Sequence, residues 1–304
     1  MRSSRRPPRP DHPFFRGAPL LVAHRGGAAL APENTLLAFQ RALSWWGADG
    51  LELDVQPTRD GEVVVLHDST VDRTTDGRGR VDRLRLAEVQ RLDAGYRFSP
   101  DGGRTHPFRG RGLTIPTLAE VLEAFPKARV TVESKDPRVQ TRVLELASAH
   151  PDRVLLAGMH TPLQRRFRLA ANPRSASLEE VRVFWVLHRL GLARWARPAA
   201  DAFQIPLRWH VVRLLTPRFL RDAHRHGVHV HAWTVNDPPT MRRLLAWGVD
   251  GLITDRPDLA ALVLAQTQRR PLPPGPGADA EPFHEALLPP PWGRYSSSRG
   301  PGSA

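Results

Sequence analysis

The chain contains no cysteine, which excludes disulfides, thiolate metal sites and cysteine nucleophiles and leaves carboxylate, histidine and other oxygen donors to hold any metal. Lysine is almost missing as well. Of 44 basic residues only Lys127 and Lys135 are lysines, so a general preference for arginine colours the whole surface. No apolar run reaches the roughly 18 residues that span a bilayer, and the opening MRSSRRPPRPDHPFF has arginines but no apolar segment before a cleavage site. These absences predict a soluble, cytoplasmic protein. What is present is ordinary globular usage over 304 residues, 40% hydrophobic and 25% charged, which fits one large domain with tails. The net charge of +13 invites a non-enzymatic, nucleic-acid-binding reading, but the basic residues are dispersed and no binding module is recognisable, so no nucleic-acid partner is expected. A positive field would still favour an anionic substrate.

Residues 1–16 read as a flexible Arg/Pro-rich arm, and in 270–304 Pro, Gly and Ser make up 18 of 35 residues, a disordered composition. Between them, residues 17–268 alternate short apolar runs with helical periods: LLVAH, GLELDV, RVTVE, VLLAG, DAFQI, VHVHAW and GLIT. A weak extra strand near Arg174 to Ala176 makes eight. Eight parallel strands alternating with helices predict an α/β fold of the TIM (β/α)8 barrel type, and the Gly-rich turn of a dinucleotide-binding sheet is absent after the first strand. Asn34 stands where an N-cap for the first helix is expected. GLELDVQPT and EVVVLHD are too close for a parallel crossover and predict an antiparallel hairpin after the second strand, followed by an insertion over 69–114. With a two-residue Asp60-Gly61 turn, Asp54 would face His67; a bulge at Pro57 would slip that register by one.

In LELDV, Glu52 and Asp54 share one strand face while Leu51, Leu53 and Val55 share the other. Buried carboxylates on one face call for positive charge, which either a hard cation such as Mg²⁺ or Ca²⁺ or neighbouring arginines could supply. Glu133 and Lys135 repeat the spacing at the end of the next parallel strand, and strand C-termini form the active face of a barrel. A lysine kept in so arginine-rich a chain points to a need for a compact charge rather than a planar fork. His24, followed by Arg25 and two glycines, and His67, beside Asp68, are candidates for acid/base work on a phosphate. The remaining histidines, His150, His188, His210, His224, His226 and His229 among them, carry no such context.

Seven motifs in order, AHRGG, PENT, LELDV, DGEVVVLHD, VESK, HAWTVND and GVDGLITDRP, resemble the glycerophosphodiester phosphodiesterase family over about residues 20–258. The resemblance implies metal-dependent hydrolysis of small glycerophosphodiesters to sn-glycerol 3-phosphate and an alcohol. It implies one divalent cation held by Glu52, Asp54 and Glu133, and His24 and His67 as the catalytic histidines. It also implies Arg25 and Lys135 at the phosphate, Glu33 near the site and Trp233 on the substrate side. An alternative within the same scaffold is a lysophospholipase D, with the arginine- and tryptophan-bearing segment 178–198 taking an acyl chain or making a weak membrane-surface contact.

Overall fold

The computed structural model describes residues 6–209 and 211–276; His210 and the tail beyond residue 276 lie outside the described residues. In chain order the elements are β1 (Leu20–His24), α1 (Leu36–Ser44), β2 (Gly50–Pro57), β3 (Val63–Val65), α2 (Leu86–Val89), α3 (Leu118–Ala124), β4 (Arg129–Ser134), α4 (Gln140–Ser148) and β5 (Val154–Ala157). They continue with α5 (Leu178–Arg189), β6 (Ala202–Pro206), β7 (Arg208–Trp209), β8 (Val212–Arg213), α6 (Pro217–His224), β9 (His229–Trp233), α7 (Pro238–Trp247), β10 (Gly251–Thr254) and α8 (Pro257–Gln268).

Seven strands pair in parallel in the order β5, β4, β2, β1, β10, β9, β6. The remaining gap is bridged by the expected weak eighth strand, where Arg174 pairs with Leu156 and Ser175 with Ala202. The alternation of side chains divides the core in two. Leu51, Leu53 and Val55 point outward into the layer shared with the helices, part of one cluster that also includes Phe39, Val130 and Leu244. The inward faces of β1, β5, β6 and β10 supply Leu20, Val22, Leu155, Ala202 and Ile253 to a smaller cluster inside the ring.

Two expectations are corrected. The cap of α1 is Thr35, whose Oγ1 accepts from the Ala38 amide. Asn34 instead adopts a left-handed backbone, φ 59°, which asparagine tolerates, and its side chain turns toward the site. The hairpin register also differs, with Val55 opposite Val65 and Pro57 opposite Val63, one position away from the two-residue turn. Its connection is Arg59-Asp60-Gly61: the Gly61 amide donates to Thr58 O and Gly61 takes φ 86°, the three-residue loop that ends in a left-handed glycine.

Residues 1–5 of the N-terminal arm lie outside the described residues, but the rest of the arm departs from its composition. Residues 6–15 are fastened to the base of the barrel. Arg9 donates to Asp201 through its amide, Nε and a terminal nitrogen, each at 3.0 Å, and Arg6 reaches the same carboxylate. Phe14 and Phe15 join the interior cluster, Phe15 stacking on His229 at 4.1 Å between ring centroids. The arm therefore plugs the end of the barrel where the strands begin. Deleting a buried aromatic ring leaves a cavity, so Phe15→Ala should lower unfolding stability by about 3–5 kcal/mol in a urea titration; a loss below ~1 kcal/mol would show that the plug is superficial.

Candidate active site

The parallel registers bring the chemistry together. His24 pairs with Glu52 across β1 and β2, Asp54 with Glu133 across β2 and β4, and Ala23 with Thr254 across β1 and β10, which sets His24 beside Asp255. His24 ends β1, Glu133 is the last residue but one of β4 and Asp255 directly follows β10, while Glu52 and Asp54 lie within β2 beside them. Carboxylate oxygens of Glu52, Asp54 and Glu133 lie within 4.8 Å of one another. They border a cavity of about 450 Å³ that also takes in His24, Arg25, His67, Lys135 and Trp233.

Positive charge and donors surround the buried pair. Lys135 Nζ sits 3.0 Å from Asp54 and donates to Glu133 at 2.8 Å. Asn34 Nδ2 donates to the second Asp54 oxygen at 3.1 Å, and Arg25 Nε stands 3.2 Å from that oxygen, close enough for charge pairing but without hydrogen-bond alignment. Burial works against the Asp54 carboxylate, yet Lys135, Arg25 and His67 outweigh it and hold its pKa below the usual range. Glu52 is left less well compensated. Burial first, then the charges of Asp54 and Glu133, push its carboxyl up to about 8 against the pull of His24 and Lys135, while the Arg25 amide donates to it at 3.1 Å. Thr131, opposite Glu52 on β4, has a buried hydroxyl with no partner among the described residues.

Each histidine is gripped by a carboxylate through Nδ1, leaving Nε2 for other contacts. His24 Nδ1 donates to Asp255 at 2.6 Å, and Asn236 Nδ2 donates to the other Asp255 oxygen at 2.8 Å. Burial alone would lower the His24 pKa; the Asp255 hydrogen bond and the charge of Glu52 reverse that and raise it. His67 Nδ1 donates to Asp68 at 2.6 Å, and Arg73 ties Asp68 to Glu33 with bonds of 2.7 Å to each. Glu33 also accepts from Arg25, and these cations hold its pKa low despite burial. His67 reaches the cavity although the hairpin register slipped: β3 stops at Val65, the chain bends from residue 67, and Gln56 donates to the His67 carbonyl at 3.1 Å.

Eight of the nine residues singled out in the sequence line one cavity, and the ninth, Glu33, is outside its lining and bonded to Arg25. Four contributors were missed. Asp255 and Asn236 lie in quoted motifs, and Asp255 directly follows strand β10, a signal of position that could have found it. Asn34 was read as a cap, and Arg73 lay in an insertion with nothing to mark it among 42 arginines.

A model of the glycerophosphoryl diester phosphodiesterase family matches residues 24–259. The chain belongs to that family. Among its relatives, the glycerophosphodiester phosphodiesterases of Bacillus subtilis and Caldanaerobacter subterraneus are each 33% identical over 252 residues, which cover 79% of this chain and 84% and 95% of theirs. The crystal structure of the Agrobacterium tumefaciens glycerophosphodiester phosphodiesterase superposes with a TM-score of 0.64 at 27% identity over 80% of this chain and 99% of that one. An Oleispira antarctica phosphodiesterase, solved with the product sn-glycerol-3-phosphate, gives 0.60 at 25% identity over 81% and 97%. As a member of this family the protein is an enzyme, a phosphoric diester hydrolase, and the non-enzymatic nucleic-acid reading loses its support. No helix among the described residues is long and apolar enough to cross a membrane.

If Asp68 and Asp255 orient the histidines, Asp68→Asn and Asp255→Asn should each cut kcat by about 10–100-fold with a much smaller change in KM. Wild-type kcat in both would mean that the carboxylates are only structural.

Proposed function

We propose that the protein hydrolyses glycerophosphodiesters to sn-glycerol 3-phosphate and an alcohol, with one divalent cation held by Glu52, Asp54 and Glu133 and with His24 and His67 as the acid/base pair. The observation that carries the reading is the two carboxylate-held histidines flanking a three-carboxylate cluster inside one cavity. The donor set fits a hard cation: oxygen ligands only, a Glu52 carboxyl raised by burial and by the neighbouring carboxylates, and an unsatisfied hydroxyl at Thr131. When bound, such an ion spreads negative charge on the phosphoryl oxygens.

The chain's own residues do the rest. Arg25 and Lys135 offer positive charge to the phosphate. One histidine takes the proton of the attacking hydroxyl as the new O–P bond forms, and the other gives a proton to the departing alkoxide as the old P–O bond breaks. The attacking hydroxyl is the glycerol hydroxyl next to the phosphate; the resulting cyclic phosphate is opened by water, with the histidines exchanging roles. Asp255 and Asp68 keep both Nδ1 atoms occupied, so that proton traffic uses Nε2. Trp233 and the apolar wall opposite the cluster receive the non-reacting part of the substrate.

That wall supports a second reading. Met159, Leu178, Val181, Ile205, Trp209 and Leu214 also line the cavity and could take an alkyl chain, as a lysophospholipase D requires. Turnover of glycerophosphocholine against lysophosphatidylcholine separates the two; a rate on the lysolipid exceeding that on the soluble diester would overturn the first.

Exhaustive chelation, or Glu52→Gln, should abolish release of glycerol 3-phosphate from a glycerophosphodiester panel, with Mg²⁺ or Ca²⁺ restoring the chelated wild type. Unchanged turnover of the chelated enzyme would sink the cation. Lys135→Arg should lose at least about tenfold in kcat despite keeping the charge, because the planar fork cannot sit between Asp54 and Glu133 as the ammonium does. A wild-type rate would make that lysine incidental.

A further inference from the structure

Helix α5 carries three stripes rather than two. Val181, Phe184 and His188 are buried in the core, as a barrel helix requires. Val183, Val186 and Leu190, at the same three- and four-residue spacing, are 63%, 48% and 66% exposed, on a face that should be polar. Between them runs a basic stripe, Arg182 over the Trp209 ring at 4.9 Å and Arg189 over Trp185 at 5.6 Å.

The Trp209 contact joins this helix to the β7–β8 hairpin, whose Val211 and Val212 are 89% and 40% exposed. Below the hairpin, Arg189, Arg213 and Arg218 surround a second hollow of about 350 Å³ with Trp185 and His188. No carboxylate is among the described residues that line the hollow, and Asp222, the partner of His188 at 2.7 Å, is also bound by Arg225 at 3.1 Å. Apolar side chains that reach into solvent beside arginines without an acidic partner among the described residues form a surface that is both greasy and cationic.

We propose that α5 and the β7–β8 hairpin dock the protein on an anionic phospholipid surface, with a headgroup phosphate taken into the hollow lined by Arg189, Arg213 and Arg218. Charge complementarity selects this occupant. A second copy would set arginine against arginine, and a nucleic acid would have no use for Val183, Val186, Leu190 and Val211. The same two elements supply Leu178, Val181, Arg208 and Trp209 to the catalytic cavity, so docking would place its mouth at the lipid interface. The inference concerns binding and stands whether or not the hydrolytic reading holds.

The test is co-sedimentation of the full chain with vesicles of phosphatidylcholine alone and of phosphatidylcholine mixed with phosphatidylglycerol. Binding should be confined to the anionic vesicles and weaken with salt. Arg213→Gln and Arg218→Gln should each reduce it about fivefold, the worth of one cation at such a surface. Val186→Gln with Val211→Gln, which leaves the charge unchanged, should reduce it at least as much, while Leu262→Gln on remote α8 should not. Circular dichroism melts confirm that the variants fold. Equal binding to neutral vesicles, indifference to the valine pair, full competition by duplex DNA, or self-association lost in the same variants would each overturn the proposal.

Discussion

Burial of two carboxylates on one strand governs this molecule. Glu52 and Asp54 are 5% and 1% exposed, and two uncompensated anions at that depth would cost several kcal/mol each. The surrounding elements answer that cost. β1 contributes His24 and is followed by Arg25, β4 is followed by Lys135, and the loop before α1 turns Asn34 inward at the expense of a left-handed backbone. The compensation is uneven: the carboxyl of Asp54 is held below its usual range, while that of Glu52, buried beside two other carboxylates, is raised.

The insertion belongs to the same electrostatic system. Its own small core, including Val71, Val81, Val89 and Leu113, packs beneath Val64 and Leu66 of the hairpin. From that base Arg73 clasps Asp68 on one side and Glu33 on the other. Glu33 in turn holds Arg25. His67, its carboxylate partner and the barrel rim are thereby joined by one run of charge-assisted bonds, so the orientation of that histidine depends on how the excursion packs.

The preference for arginine has a structural use beyond surface charge. Arg153 donates to the carbonyls of Leu122, Phe125 and Ala128 and so closes the end of α3, and buried Arg174 binds Gln164 and Glu180 where the eighth strand needs fastening. Each role needs several donors fanned in one plane, which an ammonium cannot supply. Lys135 is the complementary case, a compact charge wedged between two carboxylates.

Much of the fold and of the site was legible along the chain because it depends on local periodicity. Alternation in LELDV gave the faces of Glu52 and Asp54, strand-end positions gave His24 and Glu133, and the seven ordered motifs gave the family. The misreadings arose where distant contacts outweighed local preference. Asn34 left its expected cap for Asp54, the loop at Arg59-Asp60-Gly61 chose a left-handed glycine over a two-residue turn, and the Arg/Pro-rich arm was held by Asp201 and by stacking on His229. Residue order determined which side chains reach the rim, since that follows from strand period and direction. Only the closed barrel decided what they meet there: Asp255 reaches His24, and Arg73 reaches Glu33, across 231 and 40 residues of chain, and such pairings are set by sheet register and packing that no local pattern encodes.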